Sequence, residues 1–509
     1  MGKVFLVGAG PGDCGLYTLK AKKLIQKADA IVYDYLANEV FLEWTKPECH
    51  IIYAGKKGGD HTLKQEEINE LLVTLAKKYD VVVRLKGGDP YIFGRGGEEA
   101  AYLVDNHIEF EVVPGVTSAV AATAYAGIPL THRDFSSSVT LVTGHESETK
   151  KESVLEWDKL ARSASTLVFF MGVKNLPNIT NNLIKAGLSP DMPAALIQWG
   201  TTCKQRSITS TLKNIYEDAK KNKISPPALL IVGDVVKLKP KLDWFEKRPL
   251  LGKNIVITRS RAQASDLVSM LSENGACVIQ FPTIEIVPLE DYSHLYKEFE
   301  RLHLYDWIIF TSVNSVEIFF KKLFEKGLDS RALYNTKICA IGPATANKIR
   351  HYSIIPDLVP PKYVAESIIE ALGKDDIASK NILIPRALEA RKILPDELKR
   401  LGAKVNVVPV YKTVLGSQDK DTVIEMIKNN MIDYVTFTSS STVKNFFKLI
   451  PTDLIKHNPK IKFACIGPIT ANTLKEHGFD SHVIPENYTI PDLVQEIIKH
   501  SLTNKIGYL

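Results

Sequence analysis

The stretch VVVRLKGGDPYIFGRGGEE, from Val81 to Glu99, decides how the first half of this 509-residue chain is interpreted. An apolar run at 81–83, typical of a buried strand, leads into a loop with closely spaced glycines. Glycine has no Cβ, so its backbone can approach a ligand closely, and Asp89 can accept hydrogen bonds from hydroxyl or amine groups. A purely structural turn needs only one or two glycines. The cluster therefore favours a ligand-binding loop.

Strand and helix patterns alternate on both sides of this loop up to about residue 236, which predicts an α/β fold. The predicted elements are a strand at 4–7, a helix at 16–27, a strand at 30–33, a helix at 65–77 and a strand at 81–85. A charged stretch with Pro240 and Pro249 follows and lacks periodicity. We therefore expect a linker at 241–252, between domains at 1–240 and 253–509.

The second half repeats itself once. The strand that begins at Ile255 recurs 127 residues later at Ile382, and the strand end and turn that begin at Phe310 recur 127 residues later at Phe437. The IGP-x-TA element of Ile341 recurs after 125 residues. Two copies at nearly one spacing predict two similar parallel α/β lobes rather than a solenoid.

The composition excludes several classes of protein. No apolar run is long enough to span a bilayer, and the N-terminus lacks a signal peptide, so we expect a cytoplasmic protein without membrane association. The net charge of +6 is spread along the chain, which argues against nucleic acid and permits an anionic small substrate. Six dispersed cysteines suggest buried thiols rather than a disulfide framework or a zinc site. His132 and His145 do not form a ligand pattern, and we expect no metal.

One alternative starts from the first turn, where Gly10, Gly12 and Gly15 form G-x-G-x-x-G between a strand and a helix. Asp34 closes the next strand, at the place of the acid that binds a ribose hydroxyl in nicotinamide-dependent dehydrogenases. Against this interpretation, Pro11 lies within the turn and the glycines begin one step after the natural strand end.

Seven ordered motifs resemble the tetrapyrrole methylase family, in the arrangement of uroporphyrinogen-III C-methyltransferases. They are VGAGPGD (7–13), RLKGGDPYIFGRGGEE (84–99), VPGVTSA (113–119), GIPLTHR (127–133), TGH (143–145), FFMG (169–172) and QWGTT (198–202). Tyr91 departs from the Phe that is common in the family. The resemblance implies a two-lobed α/β fold, with lobes at about 1–115 and 130–240, that binds S-adenosylmethionine and transfers two methyl groups to uroporphyrinogen-III.

The same resemblance assigns roles to single residues. The implied cofactor residues are Pro11, Gly87, Gly88, Asp89, Ile92, Thr117, Ser118, Met171 and Gly200. Asp34 and Lys56 match the family's proposed base and acid, while Arg84 and Arg133 are expected to pair with substrate carboxylates. Other interpretations stay open: Asp34 as a turn residue, Lys56 as a solvated cation and Met171 as a core methionine.

Residues 252–509 resemble uroporphyrinogen-III synthase. The supporting stretches are ITR (257–259), FPTIEI (281–286), VYKT (410–413), the two Thr-Ser-rich turns and the two IGP-x-TA elements. The turns open helices, whose N-termini attract carboxylates, and we expect substrate contacts from Ser312, Ser439, Thr442 and Thr470. The same residues also suit simple helix caps. Tyr411 matches the family's candidate acid, or packs in the core.

Together the two resemblances predict a bifunctional tetrapyrrole enzyme. It would close hydroxymethylbilane to uroporphyrinogen-III with inversion of ring D, and then methylate that product twice to precorrin-2. The resemblance implies a homodimer formed through the first half, and the start of the sequence leads us to expect no preceding dehydrogenase and chelatase module. The alternatives are the nicotinamide-dependent dehydrogenase and a non-catalytic, two-lobed binding protein built from the second half.

Overall fold

The computed structural model describes residues 2–55, 63–144, 155–259, 261–361, 365–372, 377–390, 392–416 and 420–506. Two compact units are present. The first comprises Met1–Lys253, Met270–Cys277 and Ile498–Leu509, and the second comprises Asn254–Ser269 and Val278–Ile497.

The first unit begins with a parallel sheet of strand order β3-β2-β4-β1-β5. Its elements are β1 (Lys3–Gly8), α1 (Leu19–Lys27), β2 (Ala30–Tyr33), β3 (His50–Tyr53), α2 (Gln65–Lys78), β4 (Val81–Lys86), α3 (Gly96–Asp105), β5 (Glu109–Val113) and α4 (Ser118–Tyr125). In β4 every residue after Val81 is buried, as expected for a central strand of a parallel sheet. The predicted strands and the helix at 65–77 are confirmed.

The first helix starts later than predicted. A short 3-10 turn covers Cys14–Leu16, and α1 begins at Leu19. The Thr18 side chain causes this start, because its Oγ1 accepts a hydrogen bond from the Ala21 amide at 3.1 Å and caps the helix. The glycine turn and the helix N-terminus are therefore separated by several residues.

A second, mixed sheet of order β6-β7-β10-β8-β9 completes the first unit. Its elements are β6 (Val139–Thr143), α5 (Trp157–Ser163), β7 (Thr166–Phe170), α6 (Leu176–Lys185), β8 (Pro193–Gln198), β9 (Arg206–Thr211), α7 (Ile215–Lys221), β10 (Ala228–Val232) and α8 (Lys239–Leu242). β10 runs antiparallel to both of its neighbours. The expected α/β class with two lobes is confirmed in this half.

The second unit also contains two sheets, of orders β12-β11-β18-β19 and β13-β17-β16-β14-β15. The strands are β11 (Asn254–Ile257), β12 (Cys277–Gln280), β13 (Ile284–Pro288), β14 (Trp307–Phe310), β15 (Lys337–Ala340), β16 (Asn381–Ala387), β17 (Lys404–Leu415), β18 (Tyr434–Phe437) and β19 (Lys462–Cys465). The helices that begin in this unit are α9 (Arg261–Glu273), α10 (Ser293–Phe299), α11 (Val313–Glu325), α12 (Pro343–Arg350), α13 (Ala365–Leu372), α14 (Ile393–Arg400), α15 (Lys420–Lys428), α16 (Ser440–Leu449), α17 (Thr452–Lys456), α18 (Pro468–Glu476) and α19 (Ile490–Ile506). The C-terminal parts of α9 and α19 belong to the first unit.

The two sequence copies are exchanged between these sheets. β11, the first strand of the first copy, pairs in parallel with β18 of the second copy. β16, the first strand of the second copy, pairs with β14 of the first copy. Each lobe therefore combines the opening strand of one copy with the later strands of the other, and the two lobes are similar although neither is one continuous repeat.

The segment 241–252, which the composition marks as a linker, packs closely within the first unit. Phe245 and Leu250 are buried, and the indole Nε1 of Trp244 donates a hydrogen bond to the Ala124 carbonyl at 3.1 Å. The Arg248 guanidinium lies 4.5 Å from the centre of the Phe245 ring. These contacts give the segment a fixed position beside the C-terminal end of α4.

The expectation of unpaired cysteines is wrong for two of the six. Cys203 and Cys277 form a disulfide in the first unit, with Cα atoms 5.2 Å apart across 74 residues of sequence. Spacing along the chain does not reveal such a pair, because only the fold brings these positions together. Cys14, Cys49, Cys339 and Cys465 remain thiols, and burial raises the pKa of Cys339 to about 12 and of Cys465 to about 11.

Removal of this disulfide is expected to destabilise the protein. Cys203→Ser and Cys277→Ser should each lower the free energy of unfolding by up to about 4 kcal/mol, the chain-entropy value for a loop of this length. The double variant should be no less stable than either single variant, because both changes remove the same bond. Thermal unfolding without reductant measures this. Six reactive thiols in the unreduced, denatured protein would contradict the pairing.

Candidate functional site

A close backbone contact joins the carboxyl ends of β1, β4 and β5. A Cβ built on Gly115 would lie 2.2 Å from the carbonyl oxygen of Gly88, and one on Gly8 would lie 2.5 Å from the Cα of Gly115. Gly10 and Gly88 exchange backbone hydrogen bonds of 3.1 and 2.7 Å. Gly8 and Gly115 are thus required by neighbouring backbone, because no side chain fits between the strands.

Gly88 differs from its neighbours because a Cβ at this position would make only ordinary van der Waals contacts. It adopts a φ of +68°, and the nearest heavy atom to a Cβ at this position would be the Ser118 amide nitrogen, at 3.9 Å. Asp89 fixes the loop that follows, since its two carboxylate oxygens accept hydrogen bonds from the amides of Tyr91 at 2.8 Å and Gly115 at 3.0 Å. The arrangement leaves a backbone-lined cradle between the Gly88 loop and the start of α4.

The loop after β8 closes the opposite side of this cradle. A Cβ on Gly12 would lie 2.7 Å from Cγ2 of Thr202, and the Asp13 amide donates a hydrogen bond to Oγ1 of Thr201 at 3.2 Å. Gly200 packs on α4, where its Cβ would lie 2.3 Å from Cβ of Ala122. The first glycine turn and the second lobe therefore meet at one cleft.

Several residues around the cleft have strained backbone. Non-glycine residues with positive φ include Phe93 (54°), Arg95 (59°), Met171 (53°), Trp199 (50°) and Thr201 (69°). Such conformations cost free energy and persist where surrounding contacts impose them, commonly at ligand sites. Met171 is also 53% exposed, so the interpretation as a core methionine is wrong. Its neighbour Phe170 lies against Phe93, with ring centroids 4.9 Å apart.

All residues predicted for the cofactor lie on these segments and are at least partly accessible. They are Pro11, Gly87, Gly88, Asp89, Ile92, Thr117, Ser118, Met171 and Gly200. The cradle at Gly88 and the exposed side chains of Ile92 and Met171 offer backbone groups and apolar surface together. This donor set fits an adenosyl ligand, which presents both hydrogen-bonding groups and a flat apolar ring.

Asp34 lies directly after β2, beside the cradle. Its Oδ1 accepts a hydrogen bond from the Leu36 amide at 3.2 Å, and a Cβ on Gly87 would lie 2.5 Å from Cβ of Leu36. Its Oδ2 lies 3.4 Å from Nη2 of Arg84. The Leu36 amide and Arg84 orient this carboxylate, and because it is 28% exposed it is accessible from the cleft.

A buried charge cluster supports Asp34. Oε1 of Glu99, a fully buried residue, accepts hydrogen bonds from Nε of Arg84 at 3.1 Å and from Nζ of Lys86 at 2.8 Å. Burial, followed by the charge of Arg84, lowers the pKa of Lys86. Two cations thus share one buried carboxylate, and Asp34 supplies the second negative charge.

The residues of the first half that are predicted to bind substrate or act as the acid differ in their exposure. Arg84 is 3% exposed and donates to Glu99, Asp34 and backbone carbonyls. It is therefore not placed to make the direct contact with substrate that was expected. Arg133 is exposed, in a turn closed by the backbone bridge of His132 and Ser136. Lys56 and His145 lie outside the described residues.

In the second unit, Tyr411 joins the core to a polar turn. Its ring packs in the cluster of buried side chains that includes Phe319, and the residue is 6% exposed. Its hydroxyl lies 3.1 Å from Oγ of Ser312, which caps α11 by accepting a hydrogen bond from the Ser315 amide at 3.0 Å. The core-packing interpretation therefore holds for the ring. The role of the hydroxyl as an acid stays a prediction.

The equivalent turn of the other lobe is built in the same way. Ser439 caps α16, and its Oγ accepts a hydrogen bond from the Thr442 amide at 3.3 Å. Thr442 is 4% exposed and donates to the Ser439 carbonyl, and Thr470 is 5% exposed. Their burial argues against the expected contact with substrate for these two threonines.

Two family models match the chain. The model described as Tetrapyrrole (Corrin/Porphyrin) Methylases matches residues 3–216, and the one described as Uroporphyrinogen-III synthase HemD matches residues 265–495. A "Porphyrin biosynthesis protein HemD" of Ruminiclostridium josui is 39% identical over 98% of both chains. The chain belongs to both families. It is a fusion of a methylase and a synthase of tetrapyrrole biosynthesis.

Relatives of the methylase half alone are also similar. A "Uroporphyrinogen-III C-methyltransferase" of Priestia megaterium is 54% identical over 99% of its length and 46% of this chain. The solved uroporphyrin-III C-methyltransferase of Thermus thermophilus, complexed with S-adenosyl homocysteine, is 40% identical, with a TM-score of 0.41 over 46% of this chain and 99% of that structure.

The nicotinamide-dependent alternative is not supported. The methylase model includes the glycine turn, and the helix that would bind a pyrophosphate starts only at Leu19, with its N-terminus capped by Thr18. Asp34 contacts Leu36 and Arg84 instead of standing free for a ribose.

Within the described ranges, no three His, Cys, Asp or Glu side chains are grouped as a metal site requires. None of the described helices has the length and apolar character that crossing a bilayer demands.

Sequence reasoning missed several polar residues that support the methylase cleft. Glu99 lies in the same quoted motif as its partners Arg84 and Lys86, 15 and 13 residues after them. Asp13 accepts a hydrogen bond from the Tyr125 hydroxyl at 2.7 Å, and Gln205 accepts one from the Thr201 amide at 2.7 Å. The two glycine motifs point to the neighbourhood of Asp13 and Glu99, whereas the pairing of Asp13 with Tyr125 across 112 residues leaves no local signal.

The glycine contact gives a direct prediction for the methylase half. Gly115→Ala forces a methyl group against the rigid Gly88 carbonyl, so it should lower stability by about 3 kcal/mol and weaken S-adenosylmethionine binding at least tenfold. Gly97→Ala in α3, where nothing lies within 4 Å of the added methyl, is the matched control and should leave binding unchanged without lowering stability. Thermal unfolding and calorimetric titration measure the two effects. Wild-type behaviour of Gly115→Ala would refute the contact.

Proposed function

We propose that the chain carries two successive activities of tetrapyrrole synthesis. Residues 253–509 close hydroxymethylbilane to uroporphyrinogen-III, and residues 1–240 methylate that product twice to precorrin-2. The main support for this proposal is that all predicted cofactor residues lie at one cleft, in the half that belongs to the methylase family. The synthase assignment is supported by the family match and by the Tyr411 and Ser312 contact.

In the methylase half, S-adenosylmethionine supplies an electrophilic methyl group on its sulfonium. The chain aligns donor and acceptor and excludes water, because attack by an electron-rich pyrrole carbon needs no covalent catalyst. The cradle at Gly88 and the exposed Met171 hold the donor side. Asp34, oriented by Arg84 and the Leu36 amide, accepts a proton released as the macrocycle rearranges. Lys56 keeps its proposed role as acid, and Arg133 as a partner for substrate carboxylates.

In the synthase half, the bilane forms a cation at its hydroxymethyl carbon when hydroxide leaves. The Tyr411 hydroxyl, held at the end of β14 by Ser312, donates a proton to that hydroxide so that water departs. The chain then holds the bilane so that closure passes through the spiro arrangement that inverts ring D. Ser312 and Ser439, at the N-termini of α11 and α16, are placed where helix dipoles favour carboxylates.

A coupled assay tests both activities together. Hydroxymethylbilane alone should yield the type III isomer, and hydroxymethylbilane with S-adenosylmethionine should yield a type III product heavier by two methyl groups. Chromatography separates the isomers and mass spectrometry counts the methyl groups. Formation of only the type I isomer would overturn the synthase assignment, and an unmethylated product from added uroporphyrinogen-III would overturn the methylase assignment.

Asp34→Asn should lower the methylation kcat by about 10²-fold or more, because an amide of the same shape cannot accept the proton. Binding of S-adenosylmethionine should be unchanged, since the substitution leaves the cradle intact. Asp105→Asn, an exposed position at the end of α3, is the control and should keep full activity. Steady-state kinetics and calorimetric titration measure these values. A kcat within twofold of wild type would exclude Asp34 as the base.

Tyr411→Phe should lower the synthase kcat by about 10²-fold while methylation of added uroporphyrinogen-III continues. The control is Tyr292→Phe, because Tyr292 belongs to the same buried cluster and its hydroxyl donates to the Val410 carbonyl at 3.0 Å. That control also loses the bond that the hydroxyl accepts from the Leu289 amide at 3.1 Å, so it loses two structural hydrogen bonds of about 1 kcal/mol each and should keep its activity. Equal loss of synthase activity in both variants would assign Tyr411 a structural role only.

A further inference from the structure

The segment 239–248 follows the residues that the methylase family model matches, yet its side chains contact residues that support the cleft. Glu246 is the centre of this contact. Its Oε1 accepts a hydrogen bond from Nε2 of Gln205 at 3.0 Å, and its Oε2 accepts from Oγ of Ser207 at 2.8 Å and from Nζ of Lys239 at 3.1 Å. Every oxygen of this carboxylate therefore has a defined donor.

Gln205 connects Glu246 to the strained loop at Thr201 through hydrogen bonds. The Oε1 of Gln205, a residue only 3% exposed, accepts a hydrogen bond from the Thr201 amide at 2.7 Å. Thr201 has a φ of +69° and itself accepts the hydrogen bond of the Asp13 amide. The side chain of Gln205 thus holds Thr201 in a conformation that a non-glycine residue avoids on its own. Gly200, a predicted cofactor residue, is the residue before it.

A second route from the same segment ends at the same aspartate. The Tyr125 ring lies 5.0 Å from Trp244 and 4.8 Å from Phe245, centroid to centroid. Its hydroxyl donates to Oδ2 of Asp13 at 2.7 Å. Asp13 follows Pro11 and Gly12 in the turn that borders the cradle, so two independent routes from the segment converge on this turn.

We propose that Glu246 is a positioning residue for the S-adenosylmethionine site, acting through Gln205 and Thr201 on the turn that contains Pro11 and Asp13. The inference rests on the proposed methylation activity. It extends the working methylase beyond residue 240, into the segment that the composition marks as a linker. Glu246 does not contact the cofactor residues itself, and its effect is on their geometry.

The amide variant Glu246→Gln removes one acceptor while keeping the shape of the side chain. Its new NH₂ group faces either Nε2 of Gln205 or Nζ of Lys239, and both are donors. The expected result is a Kd and KM for S-adenosylmethionine about tenfold higher, with kcat within twofold of wild type. Glu217→Gln in α7, an exposed carboxylate near Lys220, is the matched control and should change neither value.

A reciprocal exchange distinguishes positioning from general destabilisation. In the double variant Glu246→Gln with Gln205→Glu, the new amide at 246 can donate to the new carboxylate at 205, which still accepts the Thr201 amide. The double variant should recover most of the lost affinity, whereas Gln205→Glu alone places two carboxylates together and should bind worse than Glu246→Gln. Calorimetric titration of the full-length protein measures all four affinities.

The possible failures are separable. If the wild-type chain does not bind S-adenosylmethionine, the proposed function fails before this inference is reached. If wild type binds and Glu246→Gln binds equally well, or if it only lowers the melting temperature with an unchanged Kd, Glu246 has no positioning role. If the exchange does not recover affinity although all variants unfold at the wild-type temperature, the route through Gln205 is likewise overturned.

Discussion

The backbone contact among Gly8, Gly88 and Gly115 is the constraint on which the first half depends. Three adjacent parallel strands leave the sheet at this point, and no side chain fits between them. Because the strands exit in close contact, the loops that follow must diverge, and the space between them becomes the cradle. Asp89 locks two of these loops to each other through the Gly115 amide. The cleft is thus a consequence of how the sheet ends, rather than of a separate binding element.

The second lobe completes the cleft at an energetic cost. Met171, Trp199 and Thr201 all have positive φ, a conformation that disfavours residues with a Cβ. The contacts that hold Thr201 in place come from Asp13 on one side and Gln205 on the other. Strain of this kind keeps a loop in a single conformation only while its partners are correctly placed. The geometry of the proposed cofactor site is therefore shared between the turn, the loop and the segment after residue 238.

Much of this architecture is predictable from sequence because its signals are local. Alternating apolar runs predict the strands, and the glycine motifs around Gly12 and Gly88 predict where the chain must come close to something. The repeat in the second half predicts two lobes but not their exchanged strands, since sequence similarity does not state which copy pairs with which. The Cys203 and Cys277 disulfide and the role of Glu246 depend on tertiary proximity alone, so neither leaves a pattern in the chain.

The charge cluster beneath Asp34 shows why fold and proposed chemistry are linked at this position. β4 is a central, buried strand, yet it contributes two cations, Arg84 and Lys86. Burying a cation costs several kcal/mol unless an anion compensates it, and Glu99 offers a single carboxylate to both. Asp34 contacts Arg84 from the cleft side, so one arginine joins the buried carboxylate of Glu99 to the proposed base. The packing of β4 therefore helps to fix the position of the carboxylate that is proposed to accept a proton.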